Sequence, residues 1–152
     1  MLAAYHTAPS LGYGLSTIKR KLRRELRGAD KEEILAARRA GEEVTEEVLV
    51  PELAFFCDST VENLTLHQEW KEYPVVVVEC TGYPSHHTTT SHVGHTHLSQ
   101  LEKVMVEGRE KHWVLIHAST SLRDQELARE EARLRSRGVH VDILRDSLAQ
   151  QL

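Results

Sequence analysis

Asp58 and His117 are the residues whose types and placement point first to chemistry, because each follows a short apolar run, LAFFC and WVLI respectively. A carboxylate delivered by one strand end and an imidazole delivered by another hold a divalent metal ion from rigid positions. The two oxygens of an aspartate are separate acceptors and let it bridge two ions. The same aspartate also suits a turn or a helix cap, so pattern alone leaves a structural role open for it. Histidine supplies the second signal: five of the 10 histidines fall in GYPSHHTTTSHVGHTHLSQL, as His86, His87, His92, His95 and His97. His95 and His97 have the HxH spacing that puts both on one face of a strand or lets both chelate from a loop. The stretch reads equally as a polar loop with incidental histidines, or as one that offers a single histidine to a phosphate or transition state. No HxHxDH, HExxH or CxxC accompanies it, so these residues complete no metal motif by themselves.

The other polar clusters have plainer readings. The run KRKLRREL, followed by Arg27, carries Lys19, Arg20, Lys21, Arg23 and Arg24 and reads as a phosphate-contacting patch or as a solvated helix face. Arg123, Arg129, Arg133, Arg135 and Arg137 alternate with Asp124, Glu126, Glu130 and Glu131, the pattern of a surface helix with local ion pairs. Cys57 and Cys80 each end an apolar run and read as small buried hydrophobes. Ser119, His117 and Asp58 compose a Ser-His-Asp set on paper only, because no GxSxG frames a serine, and no Gly-rich phosphate loop is present.

Whatever holds the candidate ligands must bring several strand ends together. Residues 53–57 and 113–116 read as strands, and residues 75–78, four valines after Pro74, as a core strand covered on both faces. Residues 98–107 read as a helix with Leu101 and Val104 inward, residues 122–137 as a charged helix closed by Gly138, and residues 139–144 as a last strand. Upstream, residues 13–18 suggest a strand, and residues 44–49 alternate in polarity but also suit a loop. Asp30 and Glu33 have the spacing of a capping box, which opens a short helix running to Gly41 with Ile34 and Leu35 toward a core. Strands alternating with helices argue an α/β layer with helices covering a sheet. Asp58, Glu79 and His117 then share the strand-exit edge where such folds bind ligands.

Composition narrows the class. A chain of 152 residues fits one average domain. With 40% apolar and 28% charged residues, it is an ordinary globular sequence rather than a disordered or fibrous one. A net charge of -4 gives no general signature of a nucleic-acid binder, although a local basic patch is compatible with it. Two cysteines make no disulfide framework. No apolar stretch is long enough for a membrane span, and the start lacks the pattern of a signal peptide, so the expectation is a soluble, intracellular, cytoplasmic protein with no membrane partner.

Beyond single residues, the chain resembles the C-terminal half of ribonuclease Z, the tRNA 3'-processing endonuclease of the metallo-beta-lactamase superfamily. YHTAPSLGYGL, PELAFFCDST, ECTGY, GHTHLSQL and LIHAS carry the resemblance in that order over most of the chain. It implies an α/β fold class, half of a metallo-beta-lactamase αββα sandwich with a mixed sheet covered by helices, forming a single domain over residues 1–152. It further implies that Asp58 bridges zinc ions, that His117 ligates one of them, and that His95 contacts the scissile phosphate and assists the leaving oxygen. Glu79 is the implied support of His95, His97 its substitute in a shifted loop register, and His6, Ser119 and Arg123 the implied substrate contacts. The expected cofactor is zinc and the expected partner a tRNA precursor. Departures accompany these matches: the HxHxDH half has no counterpart, Cys57, Ser59 and Ala118 stand where the family has Gly, Thr and an aromatic, and Ser121 stands where an arginine is expected. A half fold leaves apolar sheet surface uncovered, so a homodimer is expected. The chain is then either a segment inactive in isolation or a non-catalytic, self-associating scaffold.

Overall fold

The computed structural model describes residues 10–84 and 94–145 in full and residues 2–4 as backbone, so His6, His86, His87 and His92 lie outside the residues described with side chains. Six strands form one mixed sheet in sequential order: β1 (Leu2–Ala4), β2 (Ser10–Leu22), β3 (Thr45–Phe56), β4 (Val75–Glu79), β5 (His112–Ile116) and β6 (Val141–Ile143). Among the described residues four helices accompany them, α1 (Lys31–Arg39), α2 (Glu62–Leu66), α3 (Leu98–Glu107) and α4 (Asp124–Ser136), with 3-10 turns at Arg24–Leu26 and Gln68–Glu72. β1 and β2 are antiparallel, whereas β3 through β6 are parallel. The chain divides into two compact units, residues 16–51 and residues 1–15 with 52–152.

The smaller unit holds residues 16–22 of β2 and residues 45–51 of β3, joined through α1. Asp30 caps α1 as the spacing predicts: its carboxylate accepts from the Glu33 amide at 2.9 Å, and the Glu33 carboxylate accepts from the Asp30 amide at 3.1 Å. The expected core face of this helix is not formed. Ile34 is only half-buried, Leu35 is 38% exposed, and no residue of α1 is buried, because KEEILAARR offers too little apolar surface to displace water. The basic run is not a helix face either. Lys19, Arg20 and Lys21 lie on β2 and Arg24 in the following turn, where Arg20 pairs with Glu43, and Arg27 with Glu46 at 2.9 Å. Of the alternating residues 44–49, residues 45–49 are strand rather than loop, and Pro51 sits inside β3. The ladder to β4 begins at Leu53, past this proline, so its missing N–H breaks no bond there.

In the larger unit the parallel strands advance one place at a time, β3 to β4 to β5 to β6. Right-handed crossovers that always step in one direction put every connecting helix on one face of the sheet. The burial alternation agrees. Val76, Val78, Trp113, Leu115, Val141 and Ile143 are buried and share one core with Leu64, Leu98, Leu101, Met105, Leu127 and Leu134 from the helices. Trp113 and Trp70, their rings 5.2 Å apart, fill the end of this core beneath Gly108. The opposite face carries Phe55, Val77 and Val114 in register, with Leu53, Val75 and Ile116 around them, all half-buried. The valine run of β4 is therefore covered fully on one face only, contrary to the expectation of burial on both.

The bounds of α3, α4, β4, β5 and β6 lie within two residues of the expected ones, whereas β2 (Ser10–Leu22) and β3 (Thr45–Phe56) are longer than the strands expected at residues 13–18 and 53–57. α3 spans the expected residues and turns Leu101 and Val104 inward. α4 is the expected charged helix, closed by Gly138 with φ +80°, a backbone state that glycine adopts without strain. Glu131 departs from the surface pattern: it is 7% exposed, accepts from the Ile143 amide, and pairs with Arg135 and Arg145. α2 and the turn after it, unforeseen in the sequence, bury Leu64 and Trp70.

Candidate metal centre

Parallel strands deliver their last residues to a common edge. β3 ends at Phe56 and is followed by Asp58, β4 ends at Glu79, and β5 ends at Ile116 with His117 next. Glu79 is fully buried and ties the loops of this edge together. Its Oε1 accepts from the Thr96 amide at 2.6 Å and the Ser59 amide at 3.3 Å. The Thr81 hydroxyl lies 2.9 Å from Glu79 Oε2 and 3.1 Å from the His117 carbonyl, sharing its proton between the two acceptors. Thr96 adds a bond from its own hydroxyl to the Ser59 carbonyl at 2.8 Å. Backbone bonds from Thr81 and Gly82 to the Thr96 carbonyl, and from Leu98 to Gly82, lock the segment that precedes α3 against the exit of β4.

This framework converges three side chains. One ligand atom each of Asp58, His95 and His117 lie within 4.8 Å of one another, close enough to share a single ion. His117 Nδ1 is 3.0 Å from Asp58 Oδ1, and the rings of His95 and His117 meet edge to face with centroids 5.2 Å apart. Behind the group, His95 Nδ1 is 3.5 Å from Glu79 Oε1, so the buried carboxylate backs the imidazole. Asp58 and His117 keep 44% and 47% of their side chains exposed, which leaves the cluster open to solvent on one side. His117 has φ +62°, among the described residues the one non-glycine with positive φ. Such a conformation costs about 1–3 kcal/mol and persists where surrounding contacts over-determine it. Here the Thr81 contact to its carbonyl and the Asp58 contact to its ring do so.

The structure thus brings together Asp58, His95, His117 and Glu79 and leaves His97, Ser119 and Arg123 outside the group, while His6 lies outside the described residues. His97 is the N-cap of α3: its Nδ1 accepts from the Ser99 amide at 3.2 Å, and the HxH pair is split between the cluster and the cap. Arg123 precedes α4, and its amide donates to Glu126. Ser119 is hydrogen-bonded to Ser121, on the loop after His117. Thr81 and Thr96 were not singled out from sequence. Each is one polar residue in a loop, and nothing local marks it as a clamp. Cys80 is buried as expected, whereas Cys57 is half-buried beside Asp58. Burial pushes the Cys57 thiol up, and the Asp58 charge adds to the effect, so a neutral S–H faces Asp58 Oδ1 at 3.6 Å.

An α/β sheet with one helical layer and a His-His-Asp group at the carboxyl edge of its parallel strands defines an α/β half-sandwich with a candidate metal site. No family model matches the chain. It is similar to tRNase Z TRZ2, chloroplastic, of Arabidopsis thaliana, with 28% identity over 140 residues, which is 89% of this chain and 39% of that protein. It is also similar to tRNase Z TRZ1 of the same plant, with 28% identity over 120 residues, 76% of this chain and 42% of that protein. The relation of the chain is therefore ribonuclease Z-like, and these relatives imply a metallo-beta-lactamase fold. The chain spans about two fifths of the length of the curated relatives it matches.

Proposed function

We propose that this chain is the part of a ribonuclease Z-like, metal-dependent phosphodiesterase that carries Asp58, His95 and His117, acting on the 3' end of a tRNA precursor. The observation that carries the reading is the convergence of those three donors within 4.8 Å of one another. Carboxylate oxygen and imidazole nitrogen are the donors zinc takes, so the residues fit the ion. Zinc, when bound, supplies a charge against a phosphoryl oxygen and an activated water. Asp58 and His117 are its ligands in this reading. His95 faces the scissile phosphate and gives a proton or hydrogen bond to the leaving oxygen, while Glu79, touching no substrate, holds the His95 ring in place. Ser119, Arg123, His97 and His6 remain candidate substrate contacts. Such a role is intracellular, with the cytoplasm the expected compartment. Among the described residues no helix is long and apolar enough to cross a membrane.

A second reading is favoured by the half-buried row of Phe55, Val77 and Val114. Parallel sheets are ordinarily covered on both faces, so a homodimer that packs this face against its copy would remove apolar surface from water. The chain is then a self-associating scaffold without catalysis. Metal content and native mass of tag-free protein, purified without added metal, separate the two. Retained zinc that is lost in both Asp58→Ala and His117→Ala upholds the first. A stable dimer without zinc, unresponsive to zinc titration, overturns it for this chain.

A further inference from the structure

His117 has a second neighbourhood. On the side facing α4 it forms one wall of a cavity of about 260 Å³, which continues along the loop at Ser119 and under Leu144 and Arg145. We propose that this cavity takes the base of a single unpaired nucleotide whose phosphate lies at the Asp58, His95 and His117 cluster; the proposal rests on the phosphodiesterase reading above.

Its chemistry selects a base over a phosphate. Leu122, Leu127 and Leu144 give it an apolar lining, and Asp124 puts a carboxylate in its wall, which disfavours an anion. Among the described lining residues Arg145 is the cation, and its guanidinium is 3.2 Å from the buried carboxylate of Glu131. That pairing neutralises the charge and holds the guanidinium in place. Only 14% of the Arg145 side chain is exposed. A guanidinium held in this way offers a planar face for stacking and spare N–H groups for a base carbonyl, while the Ser119 hydroxyl and Asp124 carboxylate suit an edge that carries donors. The volume falls below the roughly 300 Å³ at which pockets for drug-sized ligands begin, so it suits one flat ring system and not a stretch of oligonucleotide. Because His117 belongs to both the cluster and the cavity wall, a base seated here and a phosphate at the cluster are neighbours, as they are within one nucleotide.

The test is backbone amide NMR of the full chain titrated with AMP or CMP, with ribose 5-phosphate as the probe lacking a base. Shifts at residues 118–127 and 144–145 with the nucleotides, and none there with ribose 5-phosphate, are expected. Leu144→Trp fills the cavity from a position already 42% exposed and so leaves the core intact. It is expected to weaken nucleotide binding at least about tenfold, and Arg145→Gln to weaken it less. Equal shifts with ribose 5-phosphate, shifts confined to other residues, or unchanged affinity in a folded Leu144→Trp protein would overturn the proposal. Zinc content measured on the same samples keeps the two readings distinct. Zinc held at the cluster without shifts in the cavity overturns the base site alone, whereas base binding in the cavity of a protein that takes up no zinc overturns the metal reading.

Discussion

Glu79→Ala should be the most informative single substitution, because the side chain is fully buried and serves as acceptor for groups from three loops. Removing it strands the amides of Ser59, a residue 1% exposed, and of Thr96, a residue with no exposure, together with one acceptor of the Thr81 hydroxyl. A buried donor left without an acceptor costs about 1–3 kcal/mol. Two such amides set the loss at about 2–6 kcal/mol, and relief from burying a carboxylate places the expected value at about 3 kcal/mol. For a chain of this size that corresponds to a fall in Tm of roughly 6–12 °C. Glu79→Gln retains an acceptor oxygen for both amides and turns an NH₂ toward Thr81, so its cost should be about 1 kcal/mol. Urea unfolding followed by tryptophan fluorescence reads both values, since Trp70 and Trp113 sit in the core. Equal losses for the two variants, or a loss under about 0.5 kcal/mol for Glu79→Ala, would refute the role of Glu79 as the tie between the loops.

Other outcomes follow from single features. Replacing His117, at φ +62°, by Gly should give a protein about 1 kcal/mol more stable than the Ala replacement, with zinc uptake abolished in both, as thermal unfolding and metal analysis will show. At Gly108 an added Cβ would stand 3.0 Å from the Trp70 ring and 3.1 Å from that of Trp113, so Gly108→Ala should cost about 1–3 kcal/mol and alter the tryptophan emission of the folded state. Asp142 is held below the usual carboxylate range. Partial burial pushes it up, but the hydrogen bond and charge of His112, 2.6 Å away, together with Arg135, outweigh that. A carboxylate whose folded pKa is depressed contributes stability above its unfolded pKa and loses it as pH falls through the folded one. Asp142→Asn should therefore be less stable than wild type by about 0.5 kcal/mol near pH 6, the screened value of an exposed pair, with the difference fading as pH falls below the ordinary aspartate range of about 4. Urea midpoints across that range check it, and a difference that grows on acidification would contradict the assignment.

Much of the candidate site is legible in the sequence because strand ends are local events. An apolar run that stops at a polar residue marks Asp58, Glu79 and His117 without any knowledge of their neighbours, and periodicity with a terminal cap marks α3. The split of His95 from His97 was not legible. On a strand HxH puts both rings on one face, but here the second histidine opens a helix, so backbone direction changes between them. Likewise Ile34 and Leu35 show helical spacing in α1, yet spacing states only which face would be buried, not whether another element arrives to bury it.

The amino-acid sequence by itself determined the alternation of strands and helices, the residues that leave the strand ends, and the resemblance of the segments around them to ribonuclease Z. Tertiary structure alone decided which of those residues meet. Glu79 reaches amides 17 and 20 residues away, and Thr81 reaches His117 across 36 residues. It also decided that one face of the β3–β5 sheet is only half covered, which follows from every crossover stepping in the same direction. Periodicity arises from contacts within a turn or a pleat and is written residue by residue. The closing of loops on a buried carboxylate depends on strand order and crossover hand, which no local stretch contains.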